Sequence, residues 1–201
     1  MQNVLFQRQQ KPRRQKKYQD YKPYLRKDFQ YRCAYCLIHE AHYGGLRNFH
    51  VDHFRPKSKG RFRRLALTYA NLYYACGLCN TFKGDHWPSS KQLKSGFRFV
   101  DPCQEDPYGT HFEVVEEDGS LRILTDAGRY TVVHLRLDRN QLRRHRRREI
   151  EQKQKCQVAR DLLGTPGLPP QLVVETQRLV EEIEQSWLNP VPPYELEDLR
   201  T

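Results

Sequence analysis

No stretch of this sequence approaches the roughly 20 consecutive apolar residues that a bilayer-spanning helix needs. The basic, glutamine-rich N-terminus is followed by no apolar core of the kind an export signal carries. These two absences argue against membrane-spanning and secreted classes and predict a soluble, cytoplasmic protein. Apolar residues are scarce: only 37% of the 201 residues are hydrophobic, against 29% charged, so burial alone builds a small core and something else must reinforce it. The chain is also short of acid, with 24 Asp and Glu against 35 Lys and Arg. No internal repeat is present, which sets aside solenoids and arrays. The length suits one modest domain with an appended helical region.

The net charge of +11 predicts a polyanionic partner, because such a surface gains affinity by releasing counterions from phosphates. The excess is uneven. Residues 1–32 carry ten Lys and Arg, among them Arg8 and Arg26, against Asp20 and Asp28. A second run, Arg143-Arg144-His145-Arg146-Arg147-Arg148, falls on a predicted helix, whereas the sequence after Pro170 is acidic. The basic regions are expected to face nucleic acid and the acidic tail to face away from it.

Six cysteines supply the missing reinforcement. Four form two Cys-x-x-Cys pairs, Cys33/Cys36 and Cys76/Cys79, about forty residues apart. Each spacing lets two thiolates reach one ion from a tight knuckle, and together they fit a tetrahedral structural Zn2+ site with no open position for substrate. Disulfides or redox pairs are the alternative, which the missing export signal disfavours. Cys103 and Cys156 fall outside the pattern and read as ordinary unpaired cysteines.

Along the chain, residues 1–20 read as a basic, flexible arm. A short helix around Tyr24, Leu25 and Phe29, with Pro23 in its first turn, leads into the first knuckle. Asn48-Phe49-His50-Val51-Asp52-His53-Phe54 reads as a strand and Leu72-Tyr73-Tyr74-Ala75 as its partner, running into the second knuckle and one or two helical turns. Phe97-Arg98-Phe99-Val100 also reads as a strand. A hairpin follows around the Asp118-Gly119 turn, then helices over residues 138–163 and 171–187, and a Pro-rich linker or docking strap, Asn189-Pro190-Val191-Pro192-Pro193.

Hydrolysis of a phosphodiester needs an activated water, charge stabilisation on the phosphoryl oxygens and help for the leaving oxygen. A neutral His, with a pKa near about 6.5, can take the water's proton, and carboxylate and amide oxygens can hold a hard divalent ion. The sequence Val51-Asp52-His53-Phe54-Arg55-Pro56, then Tyr69-Ala70-Asn71-Leu72, then Cys76-Gly77-Leu78-Cys79-Asn80-Thr81-Phe82-Lys83-Gly84-Asp85 resembles the HNH endonucleases over about residues 30–90. The resemblance implies an α+β protein: a ββα-metal core over residues 21–96, stapled by the four-cysteine zinc site, with a C-terminal hairpin and helical extension over residues 97–201. It also implies that Asp52 and Asn80 bind a catalytic Mg2+ or Mn2+, that His53 is the general base, and that Asn71 is the central orienting residue. The third position is Asn instead of His, a departure that matches a subgroup with zinc knuckles. In a regular strand Asp52 and His53 point to opposite faces, so a shared site requires distortion there. Arg55, Lys57 and Lys83, with Arg143, Arg144 and Arg147 on the arginine helix, are the expected nucleic-acid contacts. His50, two residues before Asp52, is a weaker candidate for an extra ligand.

A looser resemblance runs further. Val100-Asp101-Pro102-Cys103-Gln104-Glu105-Asp106-Pro107 and Leu135-Arg136-Leu137-Asp138-Arg139-Asn140-Gln141-Leu142, with the hairpin between them, are similar to HNH subunits of Septu-type and retron-associated antiphage systems. That resemblance implies an ATPase partner, docked by the acidic helix or Pro-rich tail, and DNA as the first substrate. A zinc-knuckle protein that binds nucleic acid without cutting it, and a nuclease acting on RNA, are the competing readings.

Overall fold

The computed structural model describes residues 6–190. The chain is α+β, with two small antiparallel hairpins among helices. Helix α1 (Lys22–Asp28) carries Pro in its first turn, where the missing N–H costs nothing, and Arg26 and Lys27 in its last turn, near the negative end of the helix dipole. It buries Leu25, while Phe29 just beyond it is also fully enclosed.

Strand β1 (Phe49–His53) pairs antiparallel with β2 (Leu72–Cys76) in an unbroken register from Phe49↔Cys76 to His53↔Leu72. All five residues of β2 are buried, so its aromatic run forms the wall on which the other layers pack. Helix α2 (Gly77–Lys83) starts directly after Cys76 and packs on the hairpin, completing a ββα unit. A short helix α3 (Ser90–Lys94) follows, started by a reciprocal capping box between Ser89 and Gln92.

A kinked segment, α4 (Pro107–Thr110), whose central Tyr108 and Gly109 depart from helical backbone angles, leads into the second hairpin, β3 (Phe112–Val114) with β4 (Leu121–Ile123). Helix α5 (Asp126–His134) is capped by Thr125 Oγ1, which accepts from the Gly128 N–H at 3.0 Å. Helices α6 (Asn140–Leu163) and α7 (Pro170–Ile183) pack against each other, and a wider helical turn carries Trp187 back onto His42, with ring centroids 4.8 Å apart. The turn glycine of the second hairpin, Gly119, has φ +71°, and a Cβ there would lie 2.3 Å from the Arg143 carbonyl oxygen, so glycine lets the turn press against α6. Residues of the second hairpin, α5 and the start of α6 share one apolar core with α1, the knuckles and the first hairpin.

Three sequence expectations change. Phe97–Val100 forms no strand: the Val100 N–H goes to Thr131 Oγ1 at 2.8 Å, and Phe99 packs edge-on against Tyr130. The basic arm, over its described part, is docked on the core. Phe6 is buried against Phe29, its N–H bonds the Pro102 carbonyl at 3.1 Å, and the Gln9 and Gln10 amides donate to Asp28. No bulge distorts β1 at Asp52 and His53. The proline-rich strap beyond Pro190 and the acidic residues after it lie outside the described residues.

Candidate active site and metal centre

The knuckles converge. Cys33 and Cys36 lie on the tight loop after α1, which is tied to β2 by the Ala34 N–H donating to the Tyr74 carbonyl at 2.8 Å. Cys76 ends β2, and Cys79 sits in the first turn of α2. The four sulfurs lie within 4.8 Å of one another and all four residues are buried. Burial pushes the Cys33 thiol up, neighbouring sulfurs push Cys79 up, and hydrogen bonds from the other three pull Cys76 down. Four soft donors gathered in a dry pocket fit a structural zinc ion. The Arg139 guanidinium, from the loop before α6, reaches the Cys79 sulfur at 3.8 Å, a cation placed to steady a thiolate. The other two cysteines, Cys103 and Cys156, are free.

Asp52 and His53 share a cleft despite their strand alternation. A cavity of about 220 Å³ is bordered by Val51, Asp52 and His53 together with Tyr18, Lys57, Asn80, Gly84 and Asp85. The register of β1 with β2 runs unbroken through Asp52 and His53, so they border one cleft without a bulge. His53 is only 7% exposed, and its Nε2 lies 3.0 Å from the Ala66 carbonyl oxygen. A carbonyl only accepts, so Nε2 carries the proton in the neutral ring and Nδ1 keeps its lone pair. Burial pushes the imidazole below its ordinary pKa and the nearby Lys57 and Lys83 cations add to this, against the pull of the Ala66 carbonyl and Asp52. His53 is therefore neutral near pH 7.

The Asp52 carboxylate, 5% exposed, accepts from the Tyr35 hydroxyl and from Lys83 Nζ, which lies 3.0 Å from Oδ2 and 3.2 Å from Oδ1. Burial, reinforced by Asp52, raises the Tyr35 phenol well above its usual range, so it remains a donor. Asn71 does not enter the cleft. Its buried side chain accepts from the Arg55 N–H at 2.9 Å and donates to the Arg55 carbonyl at 3.0 Å, which fixes the loop that leaves β1. Asn80 and Asp85 border the same cleft as Asp52, and neither side chain has a hydrogen bond to any described residue. The oxygen chemistry of Asp52, Asn80 and Asp85 is of the kind that suits a hard divalent ion such as Mg2+ or Mn2+, although both Asp52 oxygens are bonded to Tyr35 and Lys83.

The basic side chains divide between interior and surface in ways that the sequence does not reveal. Lys83 does not face nucleic acid: its side chain is fully buried, and Nζ also donates to the His53 carbonyl at 2.6 Å. His50 is exposed and borders a different cavity, with His42, Tyr43 and Gly77, so it is not a companion ligand to Asp52. Arg55 and Lys57 are exposed, with Lys57 Nζ 3.9 Å from the Tyr18 ring centroid. Within the basic arm and α1, Arg8 and Arg26 serve the interior. Arg8 lies over the Tyr73 ring at 4.8 Å and donates to the Leu72 carbonyl, while buried Arg26 forms an ion pair with Glu40. On α6, Arg143 is paired with Asp138, and Arg146 is buried, donating to the Gly119 and Leu137 carbonyls. Arg144, Arg147 and Arg148 stay on the surface and line a cavity of about 670 Å³ with Arg139, His42 and Trp187.

Sequence reasoning does not reach Tyr18, Tyr35 or Asp85. Asp85 follows the Lys83-Gly84 step directly and is visible as a flanking carboxylate, whereas Tyr18 and Tyr35 join the site only through tertiary packing. Comparison with curated proteins and with solved structures gave no match. Residues 33–86, which hold both knuckles, the β1–β2 hairpin and α2, match the family model for HNH endonuclease.

Proposed function

We propose that the protein is a metal-dependent endonuclease that hydrolyses phosphodiester bonds of DNA, with His53 as general base and Asp52 and Asn80 as ligands of the catalytic metal. The observation that carries this reading is the shared cleft: a neutral histidine whose tautomer the Ala66 carbonyl sets, bordering one cavity with the Asp52 carboxylate and the Asn80 amide. His53 Nδ1 accepts the proton of the attacking water, and the Ala66 carbonyl stabilises the imidazolium that results. Lys83 and Tyr35 hold Asp52 in place, Asn71 holds the loop at Arg55, and Arg55 and Lys57 offer charge to the flanking phosphates. A bound Mg2+ or Mn2+ would stabilise the charge that develops on the phosphoryl and leaving oxygens.

One observation favours the non-catalytic reading: both oxygens of Asp52 are already engaged by Tyr35 and Lys83, which leaves the carboxylate little capacity for an ion. A zinc-knuckle binding module would need no more. The assignment to an antiphage system with an ATPase partner rests on the resemblance over residues 100–142 alone. Purified protein incubated with plasmid, single-stranded DNA and RNA, with added Mg2+ or Mn2+ and without either, separates these readings. Metal-dependent cutting of DNA supports the proposal, cutting of RNA alone moves the substrate, and binding without cutting of any substrate favours the module.

A further inference from the structure

A second cavity, of about 590 Å³, opens beside the catalytic cleft and is lined by Phe54, Phe62, Trp87 and Phe99, with Arg55 and Arg61 at its walls. That volume falls in the range of roughly 300–1,000 Å³ typical of small-molecule sites. The cavity joins the site through the chain itself, since Phe54 and Arg55 directly follow His53 and Asn71 fixes the Arg55 backbone. We propose that this cavity takes an unpaired nucleobase next to the scissile phosphate, so that the enzyme acts on single-stranded nucleic acid or on a strand with a displaced base.

The chemistry of the lining supports this occupant. Trp87 stands edge-on to Phe54 and Phe62, with centroids 5.7 and 5.2 Å apart, so its faces are not stacked against either ring. Trp87 is only partly buried, and its indole N–H has no partner among the described residues. The Phe62 ring is approached by two guanidiniums, that of Arg61 at 4.7 Å and that of Arg55 at 5.9 Å. Neither arginine side chain has an ion pair or hydrogen bond among the described residues, so both charges remain available to phosphates. The acidic groups of the lining are occupied: Glu105 is bonded to Arg98 and His111, and Asp101 receives the Tyr73 hydroxyl at 2.6 Å and the Cys103 amide at 2.9 Å. Aromatic rings beside unpaired arginines are what bind a base and its backbone when the base is not already paired in a duplex.

The inference rests on the nuclease reading for the position of the scissile phosphate. Its test reads binding separately from cutting. The chain has two tryptophans, so a Trp187→Phe variant leaves Trp87 as the sole indole reporter, and His53→Ala in the same protein prevents loss of substrate. Saturating single-stranded DNA and RNA oligonucleotides, with saturation followed by anisotropy of a labelled strand, should quench Trp87 fluorescence, and a blunt duplex should not. In the otherwise unaltered enzyme Phe62→Ala should weaken single-strand binding by about 5- to 150-fold, the contribution of one stacked base. A silent Trp87 at saturation, or equal quenching by duplex with single-strand affinity unchanged in Phe62→Ala, overturns the proposal even if the enzyme cuts DNA. Quenching by single strands in a protein that cuts nothing leaves the base site standing and removes the nuclease reading instead.

Discussion

The Lys83 ammonium is fully enclosed, with Asp52 and the His53 carbonyl as its partners. Removing one member of a buried ion pair leaves the other charge uncompensated, at a cost of about 3–5 kcal/mol. Lys83→Met should therefore lower the unfolding free energy by about that much in urea titration of the zinc-loaded protein, whereas a surface lysine that touched only phosphate would leave it within about 0.5 kcal/mol. His39 gives a pH-dependent counterpart. Burial, with help from Arg32, His42 and Arg26, pushes its pKa down to about 3. The folded state then binds fewer protons than the unfolded chain, whose His titrates near about 6.5, so this group's contribution is complete above that pH and is lost as pH falls toward 3. In an NMR titration the His39 ring should stay neutral from pH 7 to 4.5; a midpoint near 6 would contradict the burial argument. At this scale the sequence marks out Asp52, His53 and Asn80, which border one cavity, because their order and framing by cysteines are local, while Asn71 lies outside that cavity. The Tyr35 hydroxyl and the internal roles of Arg8, Arg26 and Lys83 depend on distant partners, and a basic residue looks the same in sequence whether it faces solvent or a buried carboxylate.

The zinc knuckles and the C-terminal half meet at Arg139, whose guanidinium lies 3.8 Å from the Cys79 sulfur. Groups that hydrogen-bond to metal ligands typically contribute roughly 10–100-fold in metal affinity. Arg139→Met should therefore lower zinc affinity by that factor in competition with a chromophoric chelator, and an unchanged affinity would show that the guanidinium does not support the site. The first hairpin, α2 and the β3–β4 hairpin were readable from alternation, cysteine spacing and the Asp118-Gly119 turn. Helix α5 was not. Its sequence, Asp126-Ala127-Gly128-Arg129-Tyr130-Thr131-Val132-Val133-His134, holds a glycine and a β-branched run that local propensity disfavours in a helix. Packing reverses that preference: Gly128 allows close approach to the His111 carbonyl oxygen, which a Cβ would meet at 2.2 Å, and Tyr130, Thr131 and Val132 are buried. Phe97–Val100 fails as a strand for the complementary reason, since a favourable local pattern needs a ladder partner and its Val100 amide is taken by a side chain.

Across the whole molecule the net charge of +11 is less available than the composition implies, because Arg8, Arg26, Lys83 and Arg146 neutralise or bridge internal groups. Replacing exposed Arg144, Arg147 and Arg148 with Gln should flatten the salt dependence of nucleic-acid binding by about one unit of slope for each phosphate left unneutralised. Arg146→Gln should instead lower stability, since it strips donors from the buried Gly119 and Leu137 carbonyls. The reverse pattern in filter-binding and unfolding assays would mean that the arginine helix meets nucleic acid through a different face. The proposed function turns on His53 as the base in a metal-dependent cut. The most direct test compares single-turnover cleavage of DNA by the native protein and by His53→Ala at equal zinc content and equal circular dichroism. A fall of about 100- to 10,000-fold, not rescued by added Mn2+ and without loss of DNA binding, is the predicted result; equal rates in the two proteins would contradict it.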